Sequence, residues 1–267
     1  MIYTTIGFDG QQAATHTLLI GVGAVTHTLI VVDGARQLSF AASYDPANTE
    51  PEVTALLDLD FAAVKLAVSD SRYSFIPTEV YDEQQHDMYL QYLPFDGVGT
   101  TDVADVAPLN IKLLHQSSRI GLEALISRFP YAEIYPQVLG LLSAVAVRGL
   151  QANEPLLVIE RHAPWVTISV FDGHRFLYCH DFEVSNEDDF TYHLLAVVNR
   201  FGFGSRRPSI YLAGDIERGG PDYERAGTYG GNVALADSRM WTGIQVPDDV
   251  MPNQHRFLSL LGLYQCV

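Results

Sequence analysis

Basic residues are scarce in this chain, cysteines scarcer, and no apolar run is long. Lysine and arginine number 16 against 32 acids, giving a net charge of -16 over 267 residues. Such a field repels phosphate backbones and anionic headgroups at long range, which argues against nucleic acid as a partner. Arg206-Arg207, the one adjacent basic pair, reads as solvated loop. The two cysteines are Cys179, in a strand pattern, and Cys266, next to last. They make neither a disulfide framework nor a zinc site, and a reduced compartment is the simplest reading. The longest apolar run, Val138 to Val147, falls far short of the roughly 20 residues of a membrane span and reads as a buried helix. The opening stretch MIYTTIGFDG has neither the basic region nor the apolar core of a signal peptide. HExxH, CxxC and GxSxG are all missing, so zinc hydrolysis and serine esterase chemistry have no support. The expectation is a soluble cytoplasmic protein with no membrane span.

What the chain does have is a repeat. LLIGVGAVTHTLIVVDGARQLSFAASY, from Leu18, answers to LVIERHAPWVTISVFDGHRFLYCHDFE, from Leu157, an offset of 139. Leu18, Ile20, Ala24, Thr28 and Val31 match Leu157, Ile159, Ala163, Thr167 and Val170. Asp33-Gly34 matches Asp172-Gly173, and Arg36 and Leu38 match Arg175 and Leu177. The period is too long for a solenoid, whose repeats run roughly 20–50 residues. It reads as a duplicated domain half, residues 1–150 and 151–267. At 48% hydrophobic residues each half can bury a core. Two similar halves commonly place a ligand in the cleft between them.

Each copy begins with three strands, and Asp-Gly marks the second hairpin turn of each, because glycine accepts the positive φ of tight turns. Phe61 to Ser69 alternates as a strand, and Tyr73 to Ile76 reads as its neighbour. Thr78 to Tyr89 reads as a helix, Gly97 to Asp102 as loop. Leu109 to Phe129 spaces its apolar residues as an interrupted helical region. Tyr131 to Tyr135 reads as a strand, and Gly149 to Pro155 as a polar linker. In the second half Ser185 reads as the N-cap of a helix reaching Phe201, closed by Gly202. Ser209 to Ala213 is a strand, Gly219 to Gly231 largely loop, and His255 to Tyr264 a short helix.

Three antiparallel strands followed by helix and strand units, done twice, resemble the actin-like ATPase fold. The implied class is α/β, ribonuclease H-like, with a mixed sheet and flanking helices in each half. The second half looks like the pilus-assembly and cell-division branch. The strand triplet at Leu156 to Glu183, NEDDFTYHLL at Asn186 to Leu195, IYLAGDIE at Ile210 to Glu217 and the terminal LLGLYQC resemble the domain of unknown function 3822 family of Bacteroidetes, over nearly the whole chain.

Active members of the superfamily carry an acid, a glycine and a small hydroxyl residue in the first hairpin. Here Gly21 stands where the acid would be, Gly23 keeps the turn, and Ala24 replaces the hydroxyl. The second hairpin keeps an acid, Glu160, but His162 replaces the glycine and Pro164 removes an amide donor. The paired glycines of the adenosine side reduce to Gly214-Asp215. Gly21, Gly23, Glu160, His162 and Gly214 therefore outline a vestigial nucleotide cleft. The carboxylate pairs Asp102/Asp105 and Asp248/Asp249 read as solvated charge, and His174 and His180, roughly 20 Å apart along a strand, are too distant to share a metal. The expected function is a catalytically inactive scaffold or adaptor for a protein partner, with no cofactor, no metal and no catalytic residue. The alternative is a divergent ATP-binding switch or ATPase using ATP and Mg in the inter-domain cleft, with Glu160 orienting water and metal.

Overall fold

Strands rich in valine, isoleucine and leucine on both faces demand cover from two sides, and each half meets that demand with helices around a mixed sheet. The computed structural model describes residues 1–69, 71–93, 100–117, 119 and 121–266. By contacts the chain forms two units. One is Met1–Ser143 with Ile244–Met251 and Ser259–Val267; the other is Ala144–Gly243 with Pro252–Leu258.

The first unit begins with β1 (Ile2–Thr4), β2 (Thr17–Val22), β3 (His27–Val32) and β4 (Leu38–Tyr44). After α1 (Pro51–Leu57), β5 (Ala63–Val68) runs into β6 (Ser71–Pro77). Then follow α2 (His86–Leu90), β7 (Thr100–Val106), β8 (Ile111–Ser117), α3 (Glu123–Arg128), β9 (Glu133–Pro136) and α4 (Gln137–Gln151), which belongs to the second unit from Ala144 on. The main sheet has the order β1-β4-β3-β2-β5-β9, and β6-β8-β7 form a separate antiparallel sheet. Leu18, Ile20, Leu29 and Val31 point to one core with Val53, Leu56 and Phe129.

The second unit contains β10 (Leu156–His162), β11 (Trp165–Asp172), β12 (Arg175–Glu183), α5 (Glu187–Arg200), β13 (Ser209–Gly214), α6 (Pro221–Tyr229), β14 (Asn232–Leu235) and α7 (Ser238–Thr242). Its sheet has the order β12-β11-β10-β13-β14. The last helix among the described residues, α8 (Leu258–Leu263), belongs to the first unit from Ser259 on. Leu157, Ile159, Ile168 and Val170 pack with Phe190, Leu194 and Val197 of α5. These four strand residues are the repeat partners of Leu18, Ile20, Leu29 and Val31.

The repeat is thus a repeat of pairing. Leu18 opposes Val31 as Leu157 opposes Val170, and Ile20 lies beside Leu66 as Ile159 lies beside Leu212. Past the second hairpin the two copies diverge by one residue. In the first copy Val32 pairs with Leu38, but in the second Phe171 pairs with Phe176. Asp33 O accepts from Arg36 N, and Arg36 takes φ 62, so the first loop has three residues and a left-handed third position. The second is a two-residue turn with Gly173 at φ 55 and His174 at φ 65. The Asp-Gly expectation therefore holds for Gly173 and not for Gly34, whose role passes to Arg36.

Several expected elements change. Leu109 to Phe129 is not helical throughout: β8 occupies Ile111–Ser117, and helix returns only in α3. Asn110 at φ 56 turns β7 back against β8, and Leu113 and Leu114, adjacent and both fully buried, face opposite sides of a strand. Thr78 to Tyr89 contains two single 3-10 turns before the short α2. Of Gly97 to Asp102, only Thr100 onward lies among the described residues, and it is strand. Gly149 belongs to α4, where a side chain would collide with the Phe171 ring. The N-cap of α5 is Asn186, whose carboxamide accepts from the amides of Asp188 and Asp189, while Asp189 reaches back to Ser185 N. Gly219 to Gly231 is mostly α6, opened by Pro221 and closed at Gly230. The expected carboxyl-terminal helix is present as α8, with a 3-10 stretch, Met251–Phe257, leading into it.

Candidate functional site

Strand alternation places Gly21, Thr28 and Ser43 in one cross-strand row of the first unit. Thr28 and Ser43 share a hydroxyl hydrogen bond of 3.2 Å. Gly21 is covered by Leu260 of α8, whose methyl carbon would lie 3.5 Å from a Cβ at that position. The place where an acid would stand thus faces an apolar side chain. Gly23 closes the β2–β3 turn so tightly that a Cβ would come 2.5 Å from Thr26 O. Ala24, the hydroxyl position, is exposed.

The equivalent row of the second unit is Glu160, Thr167 and Asp181. Thr167 donates to Asp181 at 2.7 Å, as its counterpart Thr28 bonds Ser43. Glu160 is 1% exposed. His162, two residues on and on the same side of β10, brings Nε2 to 3.3 Å from Glu160 Oε2, an ion-pair distance. Burial works against a charged imidazole, but the Glu160 carboxylate, with Asp215 and Asp181 behind it, holds the His162 pKa above its ordinary value. Beyond His162 the turn is Ala163-Pro164 with a cis peptide bond, and Val184 N donates to Pro164 O.

Gly214 ends β13 at φ 71, and a Cβ there would drive into the backbone of Arg161. Arg161 O accepts instead from Asp215 N at 2.9 Å. The surrounding charges are paired: Arg161 with Asp222 at 2.5 Å, Arg256 with Asp215 at 2.8 Å and with Glu217 at 3.4 Å. Below them His255 is buried and donates from Nε2 to Ile216 O at 2.8 Å.

Of the five candidates the structure brings Glu160, His162 and Gly214 to one end of the second unit's sheet; Gly21 and Gly23 lie in the first unit. Sequence reasoning notes Asp215 only as an acid in place of a glycine, and passes over Thr167, Asp181 and Arg256 as site residues. The Thr28–Thr167 match is the signal for the row, because residues directly opposite across three strands share a face. Among the described residues no three histidines, cysteines or acids gather as metal ligands. A cavity of about 370 Å³ in the second unit lies at the other end of β10, lined by Arg148, Asn153, Glu154, Ser209 and Tyr211. Arg206-Arg207 is engaged: Arg206 with Asp172 at 2.8 Å, Arg207 with the carbonyls of Gly227 and Thr228. Asp102 and Asp105 lie on β7, not in a loop, and Asp105 pairs with Lys112 at 2.7 Å. Among the described residues no helix is long and apolar enough to cross a membrane.

The profile of the DUF3822 family, described as a protein of unknown function, matches residues 8–233. No curated protein matches. Among solved structures, a protein from Bacteroides thetaiotaomicron with an actin-like ATPase fold and unknown function is 16% identical, with a TM-score of 0.73 over 97% of this chain and 99% of that one. A structure of the PilM-PilN type IV pilus biogenesis complex is 15% identical, with a TM-score of 0.68 over 94% of this chain and 98% of that one. At such identities the likeness establishes the fold, which is the actin-like ATPase fold.

Proposed function

The chain belongs to the DUF3822 family, and from that premise we propose that it is a nucleotide-independent actin-like scaffold or adaptor for a protein partner. Residues 1–150 and 151–267 are, on this reading, the two copies of an ancestral duplication. The supporting observation is the contact between Glu160 and His162. A carboxylate that anchors magnesium, directly or through water, must be open to the hydrated ion. Glu160 is buried and already faces an imidazole held toward its charged form. His162 also places a ring where a backbone amide would have to approach a phosphate. Gly214 has a sufficient reason in the backbone of Arg161, without a nucleotide. These residues do not fit ATP and magnesium, so no phosphoryl step is assigned to them. In the PilM-PilN complex a protein of the same fold is assembled with another protein, an association of the kind proposed here.

Calorimetric titration with ATP and magnesium, with Glu160→Ala as control, tests the nucleotide half. The expected result is no heat and no thermal shift at millimolar ATP. Micromolar binding that the substitution abolishes would instead establish a divergent ATP-binding switch. Recovery of the protein at its native level, with no specific partner attached, would remove the scaffold half.

A further inference from the structure

The cavity at the amino end of β10 takes no part in the reading above. Strand alternation sends Ile210 and Leu212 of β13 into the core against α5, and turns Ser209 and Tyr211 to the opposite face. There they line the cavity of about 370 Å³, together with Arg148 in the last turn of α4 and Gln151, Asn153 and Glu154 at and beyond its end. The frame around it is tied together. Gly149 holds α4 against the Phe171 ring, with no room for a Cβ between them. His174, in the β11–β12 turn, donates from Nδ1 to Leu150 O at 2.8 Å and from its backbone to Ala152 O at 3.3 Å. Ser209 N donates to Pro155 O at 2.9 Å. The lining groups thus stand on fixed backbone, around a volume in the range of small-molecule sites.

Two opposite charges line this cavity without partners. In a chain of 32 acids against 16 basic residues an arginine has carboxylates in excess. Even so, the Arg148 side chain makes no hydrogen bond or ion pair among the described residues. The Glu154 side chain makes none either, and acts on Arg206 only at a distance. A purely anionic ligand would meet Glu154 and the field of the net charge of -16, and a purely cationic one would meet Arg148. A small molecule carrying both signs satisfies both residues. We propose that the cavity binds a free α-amino acid as its zwitterion, carboxylate on Arg148 and ammonium on Glu154. Guanidinium suits a carboxylate because its planar fork gives two parallel hydrogen bonds. Asn153, Gln151 and Ser209 add neutral partners, and Tyr211 offers an apolar ring to a side chain. The cavity lies at Leu156, roughly 20 Å along β10 from His162. The inference therefore stands apart from Glu160 and His162, and from whether the protein has a partner.

Trp241 of α7 supplies the readout. It meets Tyr211 edge-on at 5.0 Å, and its buried indole N–H has no acceptor among the described residues. Trp165→Phe leaves it the only tryptophan of the chain. Neutral L-amino acids, added one at a time to about 10 mM, are followed by Trp241 fluorescence and by calorimetry on the wild-type chain. The expected result is saturable binding of at least one of them. Its N-acetyl and its amide derivatives, each lacking one charge, should bind at least about tenfold more weakly. Arg148→Gln and Glu154→Gln should each cost a similar factor, and unchanged thermal melts would show that both variants fold. Absence of binding by both methods overturns the proposal. So does an N-acetyl derivative that binds as well as the free amino acid, which would make the site one for simple carboxylates, and so does binding that both substitutions leave unchanged.

Discussion

Two histidines of the second unit, His255 buried and His162 half-buried, respond to acid in opposite senses. Burial lowers the pKa of His255 to about 4, while its Nε2 proton stays on Ile216 O. Between about pH 6.5 and 4 the unfolded chain takes up a proton that the folded chain refuses, so acidification through that window removes up to about 3 kcal/mol. His162 is raised instead, so its contribution is full below about pH 6.5 and fades as pH climbs through the folded value. Urea melts from about pH 4 to 8 should therefore flatten on the acid side in His255→Gln and on the neutral-to-alkaline side in His162→Gln. Glycines separate just as cleanly. Gly214→Ala adds a Cβ at φ 71 against the Arg161 backbone and should cost about 2–4 kcal/mol in a denaturant melt. Gly21→Ala, meeting only Leu260 at ordinary contact distance, should change stability by less than about 1 kcal/mol. An equal and large loss at both positions would mean that Gly21 carries a constraint beyond packing.

At the scale of elements, α5 carries a cap that can be removed alone. Asn186→Ala leaves the amides of Asp188 and Asp189 without their acceptor and should cost about 1 kcal/mol, read by thermal melting. The strands most legible in the sequence are those inside the repeat, because alternation, Asp-Gly turns and a second copy all point to the same register. The strand at Ile111–Ser117 is hidden because Leu113 and Leu114 are both apolar; a run buried on two faces has no period of two to detect. Helix α6 is hidden by its glycines: Gly220 and Gly230 bound it, while Gly227 lies inside. For the candidate site, substitution of the phosphate-loop residues is legible position by position. Two residues' separation on a strand puts Glu160 and His162 on one face, but the coupling of their charges depends on a burial that only the folded packing supplies. The row through Thr167 and Asp181 needs the third strand, whose register slips by one residue past the shorter hairpin.

Over the whole molecule the net charge of -16 dominates. Like charge spread over a folded surface repels itself and is screened within about 10 Å at 0.1 M salt. Sodium chloride raised from about 0.02 to 0.2 M should therefore increase the melting temperature, and a fall would mean that the paired charges around Arg256 and Arg161 outweigh the general repulsion. The closure of the first unit also bears on how the chain is made. Leu260 roofs Gly21, the carbonyl of Ser259 lies against Gly140, and Lys65 Nζ donates to Cys266 O. These contacts lay residues 259–266 over β2, β5 and α4. On a ribosome, β2 to β5 emerge long before these covering residues exist, and the second unit likewise draws in Pro252–Leu258. Vectorial synthesis therefore leaves each unit incompletely closed until residues 252–266 have been made.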